Sequence, residues 1–459
     1  MAIIEISTDN KTRAKLKQLA DLSYIQLLVA VFDGVSPLYI VGGAVRDIIL
    51  RKTTAEMTDC DLAVAVPPWQ IKQSIAKFSS DKISIVPSKG EEYGTVLVKI
   101  ANQQPLEISS FRSESYNYPH EIINTKNESH TDHISRIAHT DHTDHTDRVG
   151  HVGHDHKKPK ANFTGKLADD LMRRDLNINA LAYCVNDGKI FTTITNDINN
   201  HHLTIIGNPD VRIKEDPARI IRFIRFIIYM QGWTYEQKSL LACQNNSKLI
   251  KNLSGERISK EVRKIFPYKN CQQAFTIMEQ IGISEEIFGQ QNLNSQGLGL
   301  LQLASEKLEI PICWQHQLAC LVNYQINSTD YIVRRWRLSN ADKKLINILT
   351  QQSSGLCDDI NYRLLDQLTI EQYQWLMVKE LANKPKTLLN NDTTTIKQLL
   401  SLARSKKQTQ FPINGTDLKQ LDIKGKDMGE MLRKLRKLWI DSEFNLTSPQ
   451  LINQTKPWE

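Results

Sequence analysis

Over residues 12–32 the apolar positions Leu16, Leu19, Leu22, Ile25, Leu28, Val29 and Phe32 recur at helical spacing and predict a leader helix. The period then shortens. Leu38-Tyr39-Ile40-Val41 reads as a buried strand, Gly42-Gly43 as a tight turn, and Ala44 to Arg51 as a short helix. Asp59 to Val66, ended by Pro67-Pro68, then Ile83 to Val86, Gly94 to Ile100 and Leu106 to Phe111 read as further strands, most of them β-branched runs. They predict a mixed sheet of about five strands. Helices are expected to take over from Leu167, and from Asp216 to about Leu438 the pattern is amphipathic helix joined by polar connections. The fold class is therefore α+β, a sheet-bearing head followed by an all-α body and tail.

One segment breaks the pattern. Asn117 to Lys160 holds nine of the twelve histidines and a near-repeat, HTDHTDHTD, from His139 to Asp147. It is expected to be a low-complexity insertion, since a polar repeat buries too little apolar surface to offset its ordering entropy. The alternation of His139, His142 and His145 with Asp141, Asp144 and Asp147 leaves weak zinc or nickel binding as the other reading.

At 459 residues the chain is long enough for several packed modules. No run of 18 or more residues is predominantly apolar, which argues against a membrane span. The N-terminus has no basic start, long apolar segment or small-residue cleavage site, so secretion is not expected. Seven scattered cysteines, never spaced C-x-x-C, fit neither a disulfide framework nor a zinc site and point to a reducing cytoplasm. The net charge of +7 is compatible with a polyanionic partner but does not identify one.

Candidate chemistry begins at Asp59-Cys60-Asp61. Carboxylates two apart on a strand point to one face, where they can share divalent ions; a solvated strand end is the bland alternative. Gly42-Gly43 follows a strand and opens a helix, which suits a triphosphate, with Arg46 one turn in as a clamp. The same pair is also an ordinary turn. Glu107 is a third carboxylate on the strand Leu106 to Phe111, able to complete a metal site or to pair with a neighbouring base. Arg173-Arg174-Asp175 sets two cations and an anion before an apolar stretch, which taken alone is a solvated helix end. In Glu215-Asp216-Pro217 the aspartate suits an N-cap. The following helix sets Arg219, Arg222 and Phe226 on one face and Ile220, Phe223, Ile224 and Ile227 on another.

In order and spacing the segments IVGGAVRDIIL, DCDLAV, EYGTVLVKI, LEISSFRSES, DLMRRDLNINALAY and EDPARIIRFIRF resemble the class II tRNA nucleotidyltransferase and bacterial poly(A) polymerase family. SGERISKEVRKIF at 254–266 and FPINGTDLKQLDIKGKDMGEMLRKL at 411–435 resemble its neck and tail. The resemblance implies template-independent addition of nucleotides to the 3′ end of tRNA, with CTP and ATP as substrates and Mg²⁺ as cofactor. It implies that Asp59 and Asp61 bind the metals, that Glu107 supports them, and that Gly42, Gly43 and Arg46 hold the triphosphate. Arg174, Asp175 and Asn179 would contact the incoming nucleotide, and Asp216 and Arg219, with Arg222 beside them, would select the base. The family usually reads RRDFTINA where this chain has Leu176-Asn177 in place of Phe-Thr. No membrane and no protein partner are implied.

The resemblance also implies boundaries: a nucleotidyltransferase head at 1–200 with its insertion at 117–154, a helical neck at 201–268, a body at 269–395 and a tRNA-binding tail at 396–459. Glu92-Tyr93-Gly94-Thr95 resembles a stretch found in CCA-adding members, and the basic, aromatic pattern of the polymerases is missing there. CCA addition is the expectation. A poly(A) polymerase, an enzyme adding only A or only CC, and a non-enzymatic RNA-binding protein with a degenerate head are the alternatives.

Overall fold

A computed structural model describes residues 3–50, 60–78, 82–88, 90–101, 103–115, 160–194, 200–350, 354–390, 393–421, 423 and 425–454. The chain forms two compact units, one of Met1–Arg219 with Gly232–Asn246, the other of Ile220–Gln231 with Ser247–Glu459.

The first unit carries the sheet. Its strands are β1 (Ile4–Ile6), β2 (Leu38–Val41), β3 (Leu62–Val64), β4 (Ile83–Val86), β5 (Thr95–Ile100), β6 (Leu106–Ser110), β9 (Leu181–Cys184) and β10 (Ile190–Thr192). They lie in the order β1-β10-β9-β2-β3-β6-β5-β4. The pairing of β3 with β6 is parallel and the rest is antiparallel. A separate antiparallel ribbon joins β7 (Arg112–Ser115) to β8 (Lys160–Phe163).

The five expected strands are all present, and three more flank them. β9 escaped the pattern because all four of its residues are buried, which removes the alternation that marks a strand with one wet face. β1 and β10 are three residues each, too short to show a period. Helices therefore do not take over at Leu167 without interruption.

The leader segment is likewise two helices, α1 (Asn10–Ala20) and α2 (Ser23–Val31). Asp9 opens α1 by accepting from the N–H of Thr12 at 2.7 Å. The break falls at Asp21-Leu22, where Leu22 is extended and the amide of Gln26 donates to the Ala20 carbonyl at 2.9 Å, closing one orphan acceptor. Bending there lets Leu16 and Leu19 of α1 and Ile25 and Leu28 of α2 enter one core.

That core covers one face of the sheet and includes Ile40, Leu62, Val64, Val96, Val98, Ile108, Leu181 and Tyr183, packed with helices α3 (Gly43–Ile49) and α4 (Pro68–Lys77). Strand alternation sends Val41, Ala63 and Ala182 to the other face. There they meet Phe111 and the buried residues Leu167 and Leu171 of α5 (Leu167–Met172). Helices α6 (Pro209–Glu215), the first residues of α7 (Ala218–Tyr229), and α8 (Gln237–Asn245) complete the first unit.

The second unit takes up α7 from Ile220 and continues with α9 (Gly255–Arg263) into a body without strands among the described residues. Large side chains fill it: Phe266, Phe275, Phe288, Trp336 and Tyr373 are at most 1% exposed. The indole N–H of Trp336 donates to the Ile287 carbonyl at 2.9 Å, so its polar atom is satisfied. No helix among the described residues is long and apolar enough to cross a membrane.

Candidate active site

Three neighbouring strands bring the first group of candidate residues together. β2 and β3 pair Ile40 with Leu62, and one step further the N–H of Val41 donates to the carbonyl of Asp61 at 2.9 Å. β3 and β6 pair Leu62 with Ile108 in parallel, so the same step sets Asp61 beside Glu107, at the strand spacing of about 4.8 Å. Residues aligned in this way share a face. Asp61 and Glu107 are both exposed, on the side away from the larger core. Cys60, between the paired aspartates in sequence, points the other way and is 5% exposed. Burial, with the charge of Asp61 second, pushes its thiol up to about 12, so it supplies no thiolate. Two hard oxygen donors on one exposed face suit a divalent cation such as Mg²⁺. Asp59 lies outside the described residues, as does the histidine-rich insertion, and among the described residues no group of three or more ligands forms a metal cluster.

The Gly42-Gly43 turn sits at the end of the same β2. Gly42 has φ 73°, in the left-handed region, and a β-carbon there would stand 2.6 Å from Nη1 of Arg174. Only glycine fits on both counts. The N–H of Gly42 is bound to the Leu181 carbonyl at 2.8 Å, so Gly42 contributes the bend and the room rather than a donor. The first N–H groups of α3, from Gly43 onward, have no intrahelical acceptor, and no side chain caps them.

Arg46, 9% exposed on α3, ties this turn to the Arg-Arg-Asp segment. Its Nη1 donates to Oδ1 of Asn179 at 2.5 Å, and Asp47 takes Nε and Nη2 at 2.8 and 3.0 Å. The Asn179 amide in turn donates to Oδ1 of Asp175 at 2.9 Å, which also accepts from the Leu176 N–H at 2.9 Å. The two residues that depart from the family's usual Phe-Thr are both fully buried. Leu176 packs in the interior, and Asn177 donates to the His202 carbonyl at 2.7 Å and accepts from the N–H groups of Ile178 and Thr204.

A carboxylate that sequence reasoning passed over holds the arginines. Asp170 on α5 is fully buried and pairs with Arg173 at 2.6 Å and Arg174 at 3.2 Å. Its spacing of three and four residues from two arginines on a helical segment was the available signal.

Asp216 and Arg219 stand at the junction of α6 and α7. Oδ1 of Asp216 accepts from the Ala218 N–H at 3.1 Å, which makes it a cap. Arg219 pairs with Glu215 at 2.8 Å and donates from the same nitrogen to the Arg212 carbonyl at 2.5 Å, while Nη2 reaches the Arg173 carbonyl at 3.5 Å. A guanidinium carries five N–H groups, so Nε–H and one Nη2–H are left over among the described residues. Arg222 lies in the second unit, where it approaches Glu261 at 3.5 Å beside Arg225 at 3.1 Å. Phe226 is buried like Ile220, Phe223 and Ile224, so α7 is more enclosed than a two-faced helix.

A mixed sheet with an exposed carboxylate pair beside a glycine turn, arginines at hand, defines the class: the catalytic head of a nucleotidyltransferase. Comparison with known proteins agrees. Residues 38–203 match the Poly A polymerase head domain, and residues 232–293 match the family described as the probable RNA and SrmB-binding site of polymerase A. A CCA-adding enzyme of Bacillus velezensis is 26% identical over 416 residues, 88% of this chain and 87% of that protein. One from Lactobacillus helveticus is 25% identical over 450 residues, 96% of this chain and 98% of the other. Among solved structures, the CCA-adding enzyme of Bacillus stearothermophilus in complex with CTP has the same fold, with a TM-score of 0.63 at 17% identity over 94% of this chain and 98% of that one. Residues 38–203 and 232–293 thus carry the head and RNA-binding domains of the poly(A) polymerase family, and over most of its length the chain is similar to CCA-adding enzymes.

Proposed function

We propose that the protein adds C, C and A in turn to the 3′ end of tRNA, taking CTP and ATP as substrates without a nucleic-acid template. The observation that carries this is the alignment of Val41, Asp61 and Glu107 on three adjacent strands, which sets the carboxylates next to the turn at Gly42. The relatives named CCA-adding enzyme support the choice among family members.

In the reaction the 3′-hydroxyl oxygen attacks the α-phosphorus, the new P–O bond forms, and the bond to the bridging oxygen breaks as pyrophosphate leaves. Asp59, Asp61 and Glu107 would hold Mg²⁺, which when bound neutralises phosphate charge and acidifies the attacking hydroxyl. The start of α3 and Arg46 take the triphosphate. Arg174, Asp175 and Asn179 form one hydrogen-bonded wall beside it. Asp216 and Arg219 match the edge common to cytosine and adenine, an amine donor beside a ring-nitrogen acceptor, and oppose that of uracil and guanine.

On this proposal residues 1–200 are the head, 201–268 the neck, 269–395 the body and 396–459 a tail that grips tRNA. Seven free cysteines, six of them buried, fit a reducing cytoplasm. Incubating the protein with labelled CTP or ATP and tRNA lacking its CCA end tests the proposal. Incorporation of two C and one A, abolished by Asp61→Asn, is expected. A long run of A on many RNAs, addition of A alone or of CC alone, or tRNA binding with no incorporation would each replace it.

A further inference from the structure

Arg212, near the end of α6, joins the two segments that carry the nucleotide-facing residues. Its Nη2 donates to the carbonyl oxygens of Arg173 at 2.5 Å and Arg174 at 3.1 Å. Its Nη1 pairs with Oε2 of Glu215. That single oxygen also takes Nη1 of Arg219, at 2.8 Å, and the same Nη1 reaches the backbone carbonyl of Arg212 at 2.5 Å. The three side chains are 12%, 13% and 6% exposed for Arg212, Glu215 and Arg219, so water competes weakly for these bonds.

The consequence for Arg219 is geometric. A guanidinium is planar, and fixing one nitrogen on a carboxylate and a carbonyl fixes the direction of the rest. Glu215 holds Arg219 through Oε2, and Arg212 fixes that same oxygen, so the position of the carboxylate depends on both. Arg212 in turn is anchored to the backbone of Arg173 and Arg174, whose side chains are locked on the buried Asp170. The contacts thus run from Asp170 to Arg173 and Arg174, from their carbonyls to Arg212, and through Glu215 to Arg219.

We propose that Arg212 is a positioning residue for base selection: without contacting the nucleotide, it sets through Glu215 the plane in which Arg219 presents its remaining N–H groups. This rests on the proposed role of Asp216 and Arg219. A lysine replaces it only in part, because its three N–H donors diverge from one nitrogen, whereas the guanidinium reaches the carboxylate and the two carbonyls from separate nitrogens held in one plane.

Single-nucleotide incorporation with CTP and with UTP, together with thermal unfolding, tests this in Arg212→Gln, Arg212→Lys, Arg219→Ala and the Arg212→Gln/Arg219→Ala double variant. Arg212→Gln should lower the ratio of kcat/KM for CTP over UTP by roughly tenfold, the size of one lost directional contact. Arg212→Lys should lower it by a smaller factor. In the Arg219→Ala background the Arg212 substitution should leave the ratio where Arg219→Ala alone puts it, since the two act through one contact. Equal slowing with both nucleotides and an intact ratio, with only a drop in melting temperature, would overturn the proposal by making Arg212 a stability residue. Should Arg212→Gln not fold, an unchanged ratio in Arg212→Lys has the same force. An unchanged ratio in Arg219→Ala alone would instead remove the base-selecting pair itself, and the role of Arg212 with it.

Discussion

Nη1 of Arg46 donates to Oδ1 of Asn179 at 2.5 Å across 133 residues of sequence, and both side chains are buried. The bond ties the helix that follows the Gly42-Gly43 turn to the Arg-Arg-Asp segment. Asn179→Ala would leave Arg46 without this acceptor and Asp175 without the amide donor it holds at 2.9 Å. A lost hydrogen bond to a charged group costs about 1.5–3 kcal/mol. The KM for CTP and for ATP should therefore rise together, roughly tenfold, with the preference between nucleotides unchanged. Steady-state kinetics with each triphosphate checks this; wild-type KM values would make the bond merely structural.

Gly255 opens α9 where an added β-carbon would lie 1.8 Å from the carbonyl oxygen of Arg335. The obstacle is backbone, so no side-chain rotation relieves it. Arg335 itself donates to the carbonyls of Leu253, Ile250 and Lys251 at 3.0, 3.3 and 3.4 Å, which pins the two strands of chain together. Gly255→Ala should destabilise the second unit by about 1–3 kcal/mol or more, as overpacking does. Denaturant unfolding followed by tryptophan fluorescence reads it, and an unchanged midpoint would mean that the contact opens freely.

The sheet and the helical body were legible because long β-branched runs and long amphipathic stretches carry their periods openly. β9 was not, since burial on both faces erases alternation. The site divides the same way. Gly42, Asp61, Arg174 and Asp216 stand in compact motifs whose chemistry is local. Arg212 works through carbonyls 39 and 38 residues away, a relation no spacing rule expresses. Asp170, paired within its own turn, could have been found. Asp59 and the His139 to Asp147 repeat fall outside the described residues.

His316 in the second unit is fully buried, and neither ring nitrogen has a hydrogen-bond partner among the described residues. Burial, then the charge of nearby Lys379, lowers its pKa to about 3. The neighbouring Cys320 and Tyr324 are both raised by burial and stay protonated. The unfolded chain binds a proton near 6.5 and the folded one near 3, so the stability from neutral His316 is complete above pH 6.5. It is lost as pH falls toward 3. The full shift is on the order of 5 kcal/mol. Lys379, lowered to about 8 by burial, keeps its charge throughout that window. His316→Leu should flatten the acid limb of a stability profile measured from pH 7 to pH 4. An identical slope in both proteins would show that His316 protonates without opening the fold.

Asp216 has an observed duty as a helix cap and a proposed one in base selection, which one substitution would confuse and two can separate. Oδ1 caps α7 at the Ala218 N–H, a contact whose loss costs about 1 kcal/mol. In base selection the carboxylate must accept from the exocyclic amine of cytosine or adenine, which needs an acceptor and not merely a polar group. Asparagine keeps one acceptor oxygen for the cap, and its other arm becomes an amide donor. Asp216→Asn should therefore unfold at nearly the wild-type temperature while CTP and ATP use falls and UTP use rises, because uracil offers a carbonyl where cytosine has its amine. Asp216→Ala should lose stability and selectivity together. Each good pairing discriminates by about 1–3 kcal/mol, so the CTP-to-UTP ratio in Asp216→Asn should shift by roughly tenfold or more. Four single-nucleotide incorporation rates and one melting curve per variant decide the matter. An Asp216→Asn protein with wild-type stability and wild-type selectivity would leave Asp216 as a helix cap and nothing else.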